Sequence, residues 1–414
     1  MAITDKNHQE RTSEKLMSEK LKIEVTDKNM KKLYKNAEIV LEDSVVPGGW
    51  LLAENNIIKD YGQGKAPESV CENGDDITDC SGRYLCPGFV DTHVHGGGGG
   101  DFRDESEEAF LAALRTHYKG GTRTIVPTLS SATKECMLNS IRIYNSIKER
   151  EDEFEDIPYL AGLHLEGPYF SQEQRGAQDP ELIRNPDPEE YLEILDSTPH
   201  IKRWSIACEL PGAGELGLEL SKRGICASVG HSNATAEQVL EAVGKHGYSC
   251  VTHLYSGCSY LHRNGPYREG GVVEAAFLLK DLMVEVIGDG KHLPPLFLKL
   301  IYQIKGPDRI CLVTDCLRPG GTDYVEGQTV FDDKEGKHQV ILENGVAVMP
   351  DRKNFAGSIS TTSNLVRVMV NDVGVPVYEA VRMAALNPAK MLGLSDRIGS
   401  IKRGKNADLV ILDL

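Results

Sequence analysis

No stretch of this 414-residue chain approaches the roughly 18 consecutive apolar residues of a helical membrane span. The first twenty residues are charged and hold no apolar run, so they read as a charged extension, not as a secretory signal. Positive charge is in deficit. Lys and Arg number 46 against 62 Asp and Glu, a formal net charge of -16, which argues against a nucleic-acid or anionic-membrane partner. An anionic substrate would need a local basic pocket set against that field. Paired cysteines are missing too: the ten cysteines are scattered with no Cys-x-x-Cys. Scattered thiols in a chain of this size read as reduced core residues of a cytoplasmic protein. There is no internal repeat, and no low-complexity segment beyond the glycine run Gly96–Gly100. What remains is a well-mixed chain, long enough for one large barrel or two ordinary domains.

From about residue 21 to 83 the chain is turn-rich and β-like. Ala37–Leu41, Gly49–Ala53 and Asn56–Gly62 are short strand candidates. After Pro87 the pattern changes to short apolar runs alternating with amphipathic segments. The runs are Gly88–His93, Thr122–Pro127, Leu160–Leu165, Arg203–Cys208, Ile225–Gly230, Cys250–Leu254, Met283–Ile287 and Ile310–Thr314. The helical segments include Glu107–Lys119, Thr133–Arg150, Gly214–Arg223, Thr235–His246 and Pro295–Lys305. Eight such strands argue for an α/β protein with a (β/α)8 TIM-like barrel; an open doubly wound sheet is the alternative. Residues 324–350 break the rhythm with a β-hairpin signal around Glu343-Asn344, read as an insertion after strand eight. A last strand near the end of the chain is placed to rejoin the N-terminal sheet. The expected domains are therefore a charged extension (1–20), a small β-sandwich domain built from both chain ends (21–85 with 393–414), and the barrel (86–392).

Polar residues crowd the ends of the eight runs. Strand one ends Asp91-Thr92-His93-Val94-His95, and alternate residues of a strand share a face, so its two imidazoles can point together. The third run ends His164-Leu165-Glu166-Gly167-Pro168, the fifth Gly230-His231-Ser232 and the sixth Thr252-His253-Leu254. The seventh leads to Asp289-Gly290-Lys291-His292 and the eighth ends Val313-Thr314-Asp315. Singly, each histidine reads more readily as a hydrogen-bonded structural residue, and each carboxylate as a helix cap. Jointly they would converge on the C-terminal rim of a parallel barrel, where such folds keep their active sites. A hydrolytic metal site needs protein ligands, an open position for water and a nearby base, and Asp315 stands where that base would be.

The run Pro87-Gly88-Phe89-Val90-Asp91-Thr92-His93-Val94-His95 resembles the amidohydrolase superfamily. With His164–Pro168, Gly230–Ser232, Thr252–Leu254, Asp289–His292, Val313–Asp315, Asn387-Pro388-Ala389 and Gly404–Val410, the chain resembles the N-acetylglucosamine-6-phosphate deacetylase family over about residues 35–414. The resemblance implies metal-assisted hydrolysis of N-acetyl-D-glucosamine 6-phosphate to D-glucosamine 6-phosphate and acetate, in amino-sugar catabolism. Glu166, His231 and His253 would hold the principal divalent metal ion, zinc or iron. His93 and His95 match the place of a second ion in some members, so one or two metals per subunit remain open. Asp315 would take a proton from the attacking water and return it to the departing amine.

The resemblance also assigns the substrate contacts. Where many relatives place a carbonyl-polarising histidine, this chain has Gln178, which can donate a hydrogen bond but carries no charge. Ser256 and Gly257 stand where relatives meet the sugar phosphate, and Arg268 is the implied phosphate clamp, since a guanidinium forks onto phosphate oxygens. In relatives this arginine can come from a neighbouring subunit, which implies a homodimer. The inserted His262–Gly265 reads either as a second basic group or as a solvated loop. His292 matches a sugar contact, and Ser358, in Ala356-Gly357-Ser358, a loop over the pocket. Two other readings exist. A hydrolase of cyclic amides, such as a dihydroorotase-like enzyme, commonly bridges two metals with a carboxylated lysine, and Glu166 stands at that position. A catalytically dead binding scaffold would have lost ligands that are all here.

Overall fold

The eight apolar runs fold as eight parallel strands around one core in the computed structural model, which describes residues 31–67, 76–331, 336 and 338–414. In order they are Phe89–Val94, Thr122–Ser130, Leu163–Glu166, Ile201–Ile206, Cys226–Val229, Tyr248–Val251, Met283–Ile287 and Ile310–Val313. Each pairs in parallel with its neighbour from strand one through strand eight. The ring closes where strand eight meets strand one. The Asp315 N–H donates to the His93 carbonyl and the His95 N–H to the Cys316 carbonyl, both at 2.9 Å. Below them, buried Asp91 accepts from the Thr314 hydroxyl at 2.6 Å. The open doubly wound alternative is thereby excluded.

The intervening helices form where the 3.6-residue period is strongest. Ser106 caps Glu107–Lys119 by accepting from the Ala109 N–H, with Glu107 and Glu108 in the first turn complementing the helix dipole. Thr235 and Gln238 make a reciprocal capping box at the start of Ala236–Lys245. Pro188–Asp196 and Val272–Leu278 are helices the periodicity did not single out. With nine and seven residues, they span at most about two and a half turns, too short to build a strong pattern.

The chain ends meet in one six-stranded sheet. Leu409–Leu412 runs antiparallel to Tyr84–Pro87, with Ile411 opposite Leu85. Ile39, Leu51, Ile58, Leu85 and Ile401 share its own small core. The charged extension expected over residues 1–20 lies outside the described residues. The insertion is larger than a hairpin over 324–350. It is a four-stranded antiparallel sheet of Gln328–Phe331, Gln339–Glu343, Val346–Val348 and Phe355–Ser358. The Glu343-Asn344 turn joins only its middle pair.

The glycine run serves helix packing. A Cβ on Gly100 would lie 2.1 Å from the Ala109 carbonyl oxygen, and one on Gly98 2.5 Å from the Thr116 hydroxyl. Only glycine lets this loop lie flat on helix Glu107–Lys119. From that helix His117, fully buried, donates Nε2–H to the Gly96 carbonyl at 2.8 Å. Burial pushes the His117 imidazole down to about 4. A depressed histidine contributes stability that is present above its unfolded value of about 6.5 and is lost as pH falls towards 4. A depression of that size corresponds to about 3 kcal/mol. His117→Gln is therefore expected to lose less stability than the wild type between pH 6.5 and 4, by about that amount. Urea midpoints across that range test it, and parallel pH profiles would refute it.

Candidate metal centre

The strand ends bring six side chains to one point. His93 Nε2 lies 3.3 Å from His95 Nε2, 3.3 Å from Glu166 Oε1 and 3.4 Å from Asp315 Oδ1. His95 Nε2 is 3.1 Å from Asp315 Oδ1 and 3.3 Å from Glu166 Oε2. On the other side of Glu166, Oε1 meets His253 Nε2 at 2.9 Å and His231 Nε2 at 3.2 Å, and those two nitrogens are 3.2 Å apart. All six residues are buried. The expected ligands His93, His95, Glu166, His231 and His253 and the expected base Asp315 are thus in one cluster.

Three of these residues leave their strands with positive φ: 46° at His231, 26° at His253 and 47° at Asp315. For a residue with a Cβ this costs about 1 kcal/mol or more, and such strain collects at functional sites. Asp315 is held there from both sides. Besides its bond to His93, its carbonyl accepts from the Ser358 N–H at 2.9 Å.

The donor set fits a divalent metal. A tetrahedral ion with bonds of about 2.0–2.1 Å sets its ligand atoms about 3.3 Å apart. Two pairs of imidazole Nε2 atoms face each other at that spacing, where a hydrogen bond could satisfy only one nitrogen of each pair. Two overlapping triads could each hold an ion: His93, Glu166 and His253, and His93, His95 and Asp315. The charges agree. Burial would raise the Glu166 carboxyl, but His93, His231 and His253 hold it well below the usual range. Burial likewise opposes ionisation of Asp315, and His93 with His95 outweighs it.

The cluster floors a cavity of about 340 Å3, within the size range of small-molecule sites. Gln178, Ser256, Gly257 and His292 line it with every residue of the cluster but His93. Asp289 accepts His292 Nδ1–H at 2.8 Å, which turns the other ring nitrogen outward. Gln178 is more constrained than its sequence position suggests. Its Nε2 donates to Glu166 Oε2 at 3.0 Å and its Oε1 accepts from the Ser131 N–H at 3.1 Å, so both ends of the carboxamide are engaged. Ser358 is fully buried and outside the lining, and its hydroxyl accepts from the Ser360 N–H. Ala356 of the expected loop does line the cavity, together with Lys353, Asn354 and Phe355 just before it. Arg268 is also outside the lining, exposed on the hairpin of His262–Asn264 and Tyr267–Glu269.

Residues 84–414 match the amidohydrolase family. The chain belongs to the amidohydrolase family. It is a metal-dependent hydrolase by that membership, and its strand-end cluster is the candidate metal site. It is 33% identical over 366 residues to N-acetylglucosamine-6-phosphate deacetylase of Lysinibacillus sphaericus, covering 86% of this chain and 88% of the relative. It is 31% identical over 338 residues to N-acetylgalactosamine-6-phosphate deacetylase of Escherichia coli O157:H7, covering 81% and 85%. Among solved structures it resembles a variant N-acetyl-D-glucosamine-6-phosphate deacetylase from Mycobacterium smegmatis in complex with N-acetyl-D-glucosamine-6-phosphate. The TM-score is 0.80 at 30% identity, over 93% of this chain and 95% of that one.

Proposed function

We propose that this amidohydrolase removes the acetyl group of N-acetyl-D-glucosamine 6-phosphate, giving D-glucosamine 6-phosphate and acetate. The observation that carries the reading is the convergence of four imidazoles and two carboxylates, at 2.9–3.4 Å, on the floor of a sugar-sized cavity. The deacetylase relatives supply the substrate class. Glu166, His231 and His253 are assigned to one divalent ion, zinc or iron, both of which suit imidazole and carboxylate ligands. His93 and His95, with Asp315 in reach, are assigned to a second. Such an ion supplies, when bound, acidification of a water and polarisation of a carbonyl oxygen.

The protein's own residues do the rest. Asp315 accepts a proton from the attacking water as the new C–O bond forms. It then delivers that proton to the amide nitrogen as the C–N bond breaks, so acetate and a free amine leave. Its backbone is pinned on both sides, so its carboxylate is held in place for both transfers. His292, oriented by Asp289, offers its outward nitrogen to a sugar hydroxyl.

Arg268 is assigned to the phosphate across a homodimer interface. Its exposure, beside Tyr260 at 60% and Tyr267 at 76% exposed, supports a partner subunit covering that hairpin. The scattered cysteines, with no Cys-x-x-Cys pair, support a reducing, cytoplasmic setting. Among the described residues no helix is long and apolar enough to cross a membrane.

Acetate release from N-acetylglucosamine 6-phosphate, with the galactosamine isomer in parallel, tests the substrate. Turnover is expected to stop when a chelator strips the metal and to return on adding zinc or iron. Activity untouched by metal removal would refute the mechanism. Arg268→Met is expected to raise KM about tenfold or more for the phosphorylated sugar with little change in kcat, as loss of a charge-assisted phosphate contact predicts. An unchanged KM would remove Arg268 from the site.

A further inference from the structure

Glu285 has no part in the chemistry above, yet it is an acidic residue fully buried in the interior face of barrel strand seven. A lone carboxylate there would be costly to bury, so its partners matter. Its Oε1 forms a close ion pair with Arg203, itself fully buried on strand four. The same oxygen accepts the Thr92 hydroxyl at 3.0 Å. Its other oxygen, Oε2, lies 3.2 Å from Nδ1 of His93. Arg203 in turn donates Nη2–H to the hydroxyl of Thr252 at 3.2 Å. The network therefore ties together the residues that immediately precede His93 and His253.

The four imidazoles of the centre are not equivalent on their far sides. His231 gives its Nδ1–H to a neutral acceptor, the Gln174 carbonyl, at 2.8 Å. Among the described residues, Nδ1 of His95 and Nδ1 of His253 have no hydrogen-bond partner. Among the described residues, only His93 of the four is backed by a carboxylate. A carboxylate behind a ligating histidine fixes the tautomer, orients the ring and makes its other nitrogen a stronger donor. His93 is also the residue the two candidate triads share.

We propose that Glu285 is the positioning residue of the metal centre: held by Arg203, it accepts a hydrogen bond from the Nδ1–H of His93 and so aims Nε2 of His93 at the ion. This rests on the assignment of His93 as a ligand. Arg203 balances the charge of Glu285, so the carboxylate can stay in the barrel interior without drawing a second proton carrier to it. No side chain of this network lines the substrate cavity. The expected effect is thus on metal binding and not on recognition of the sugar.

The test uses purified full-length protein and zinc alone as the probe. The metal-free wild type, Glu285→Gln, the paired Arg203→Met/Glu285→Gln and His93→Ala are each titrated with zinc against a competing chelator. Bound metal is then counted by elemental analysis. The paired variant leaves no unmatched buried charge, so it keeps the test open if Glu285→Gln alone folds poorly. His93→Ala identifies the ion that His93 ligates. Affinity for that same ion is expected to fall about 10- to 100-fold in the Glu285 variants, with KM for the sugar unchanged in zinc-saturated protein. Affinity within about twofold of wild type in a folded variant overturns the role of Glu285. Zinc binding by His93→Ala equal to wild type overturns it as well, because His93 is then no ligand. A wild type that binds no zinc or iron at all would overturn the metal-centre reading itself, a result separate from either.

Discussion

Asp315→Asn is expected to lower kcat about a thousandfold while leaving bound metal and KM close to wild type. General acid–base catalysis contributes about 100- to 10,000-fold, and here one carboxylate is assigned both proton transfers. Asparagine is the informative replacement because of the backbone. Asp315 sits at φ 47°, a conformation asparagine tolerates better than alanine. Its N–H bond to His93 and its carbonyl bond from Ser358 can both persist. The carboxamide also fits the space beside His95 without adding volume. What it lacks is the ability to accept and return a proton. Steady-state kinetics with acetate detection, together with metal content by elemental analysis, separate the two roles open to Asp315. Lost turnover with metal retained marks the base. Lost turnover with one ion lost marks a ligand. Retained turnover would remove Asp315 from the mechanism.

The barrel was legible because its strands are short, apolar and separated by helices of strong period. The helices Glu107–Lys119 and Pro295–Lys305 and the strand Met283–Ile287 have the bounds read from the sequence. The six clustered side chains were legible for a related reason: polar residues ending apolar runs of a parallel barrel must share its C-terminal rim. Their supports were not. Arg203 and Glu285 lie inside apolar runs, where a charged residue is visible but its partner on a distant strand is not. They are 82 positions apart in the chain. Gln178 lines the cavity, but sequence places a residue at a site without saying which way its amide turns. The structure turns it onto Glu166 and Ser131. Ser358 was misplaced by a local effect. It ends a strand of the inserted sheet, and its backbone carries the contact with Asp315 while its hydroxyl folds back on Ser360.

Glu166→Ala is expected to lose the ion assigned to Glu166, His231 and His253 and to bring deacetylation close to the uncatalysed level. Its carboxylate is the hub of the imidazoles: His93, His95, His231 and His253 all approach its two oxygens within 3.3 Å, and Gln178 donates to one of them. In the metal-free protein its charge holds four imidazoles together, and the carboxyl is kept well below its ordinary range although burial opposes this. A carboxylate depressed in this way contributes stability above its unfolded value, about 4.5, and loses it as pH falls further. The wild type without metal should therefore lose stability on acidification below that value more steeply than the alanine variant. Metal gives the sharper contrast. A ligand that binds only the folded state at a thousandfold excess over Kd stabilises it by about 4 kcal/mol. Zinc is expected to raise the Tm of the wild type by more than that of Glu166→Ala, because His231 and His253 lose the carboxylate assigned with them while Asp315 stays beside His93 and His95. Equal zinc-induced shifts in the two proteins would show that the ion is held elsewhere. A smaller shift together with loss of turnover would place both on the same carboxylate.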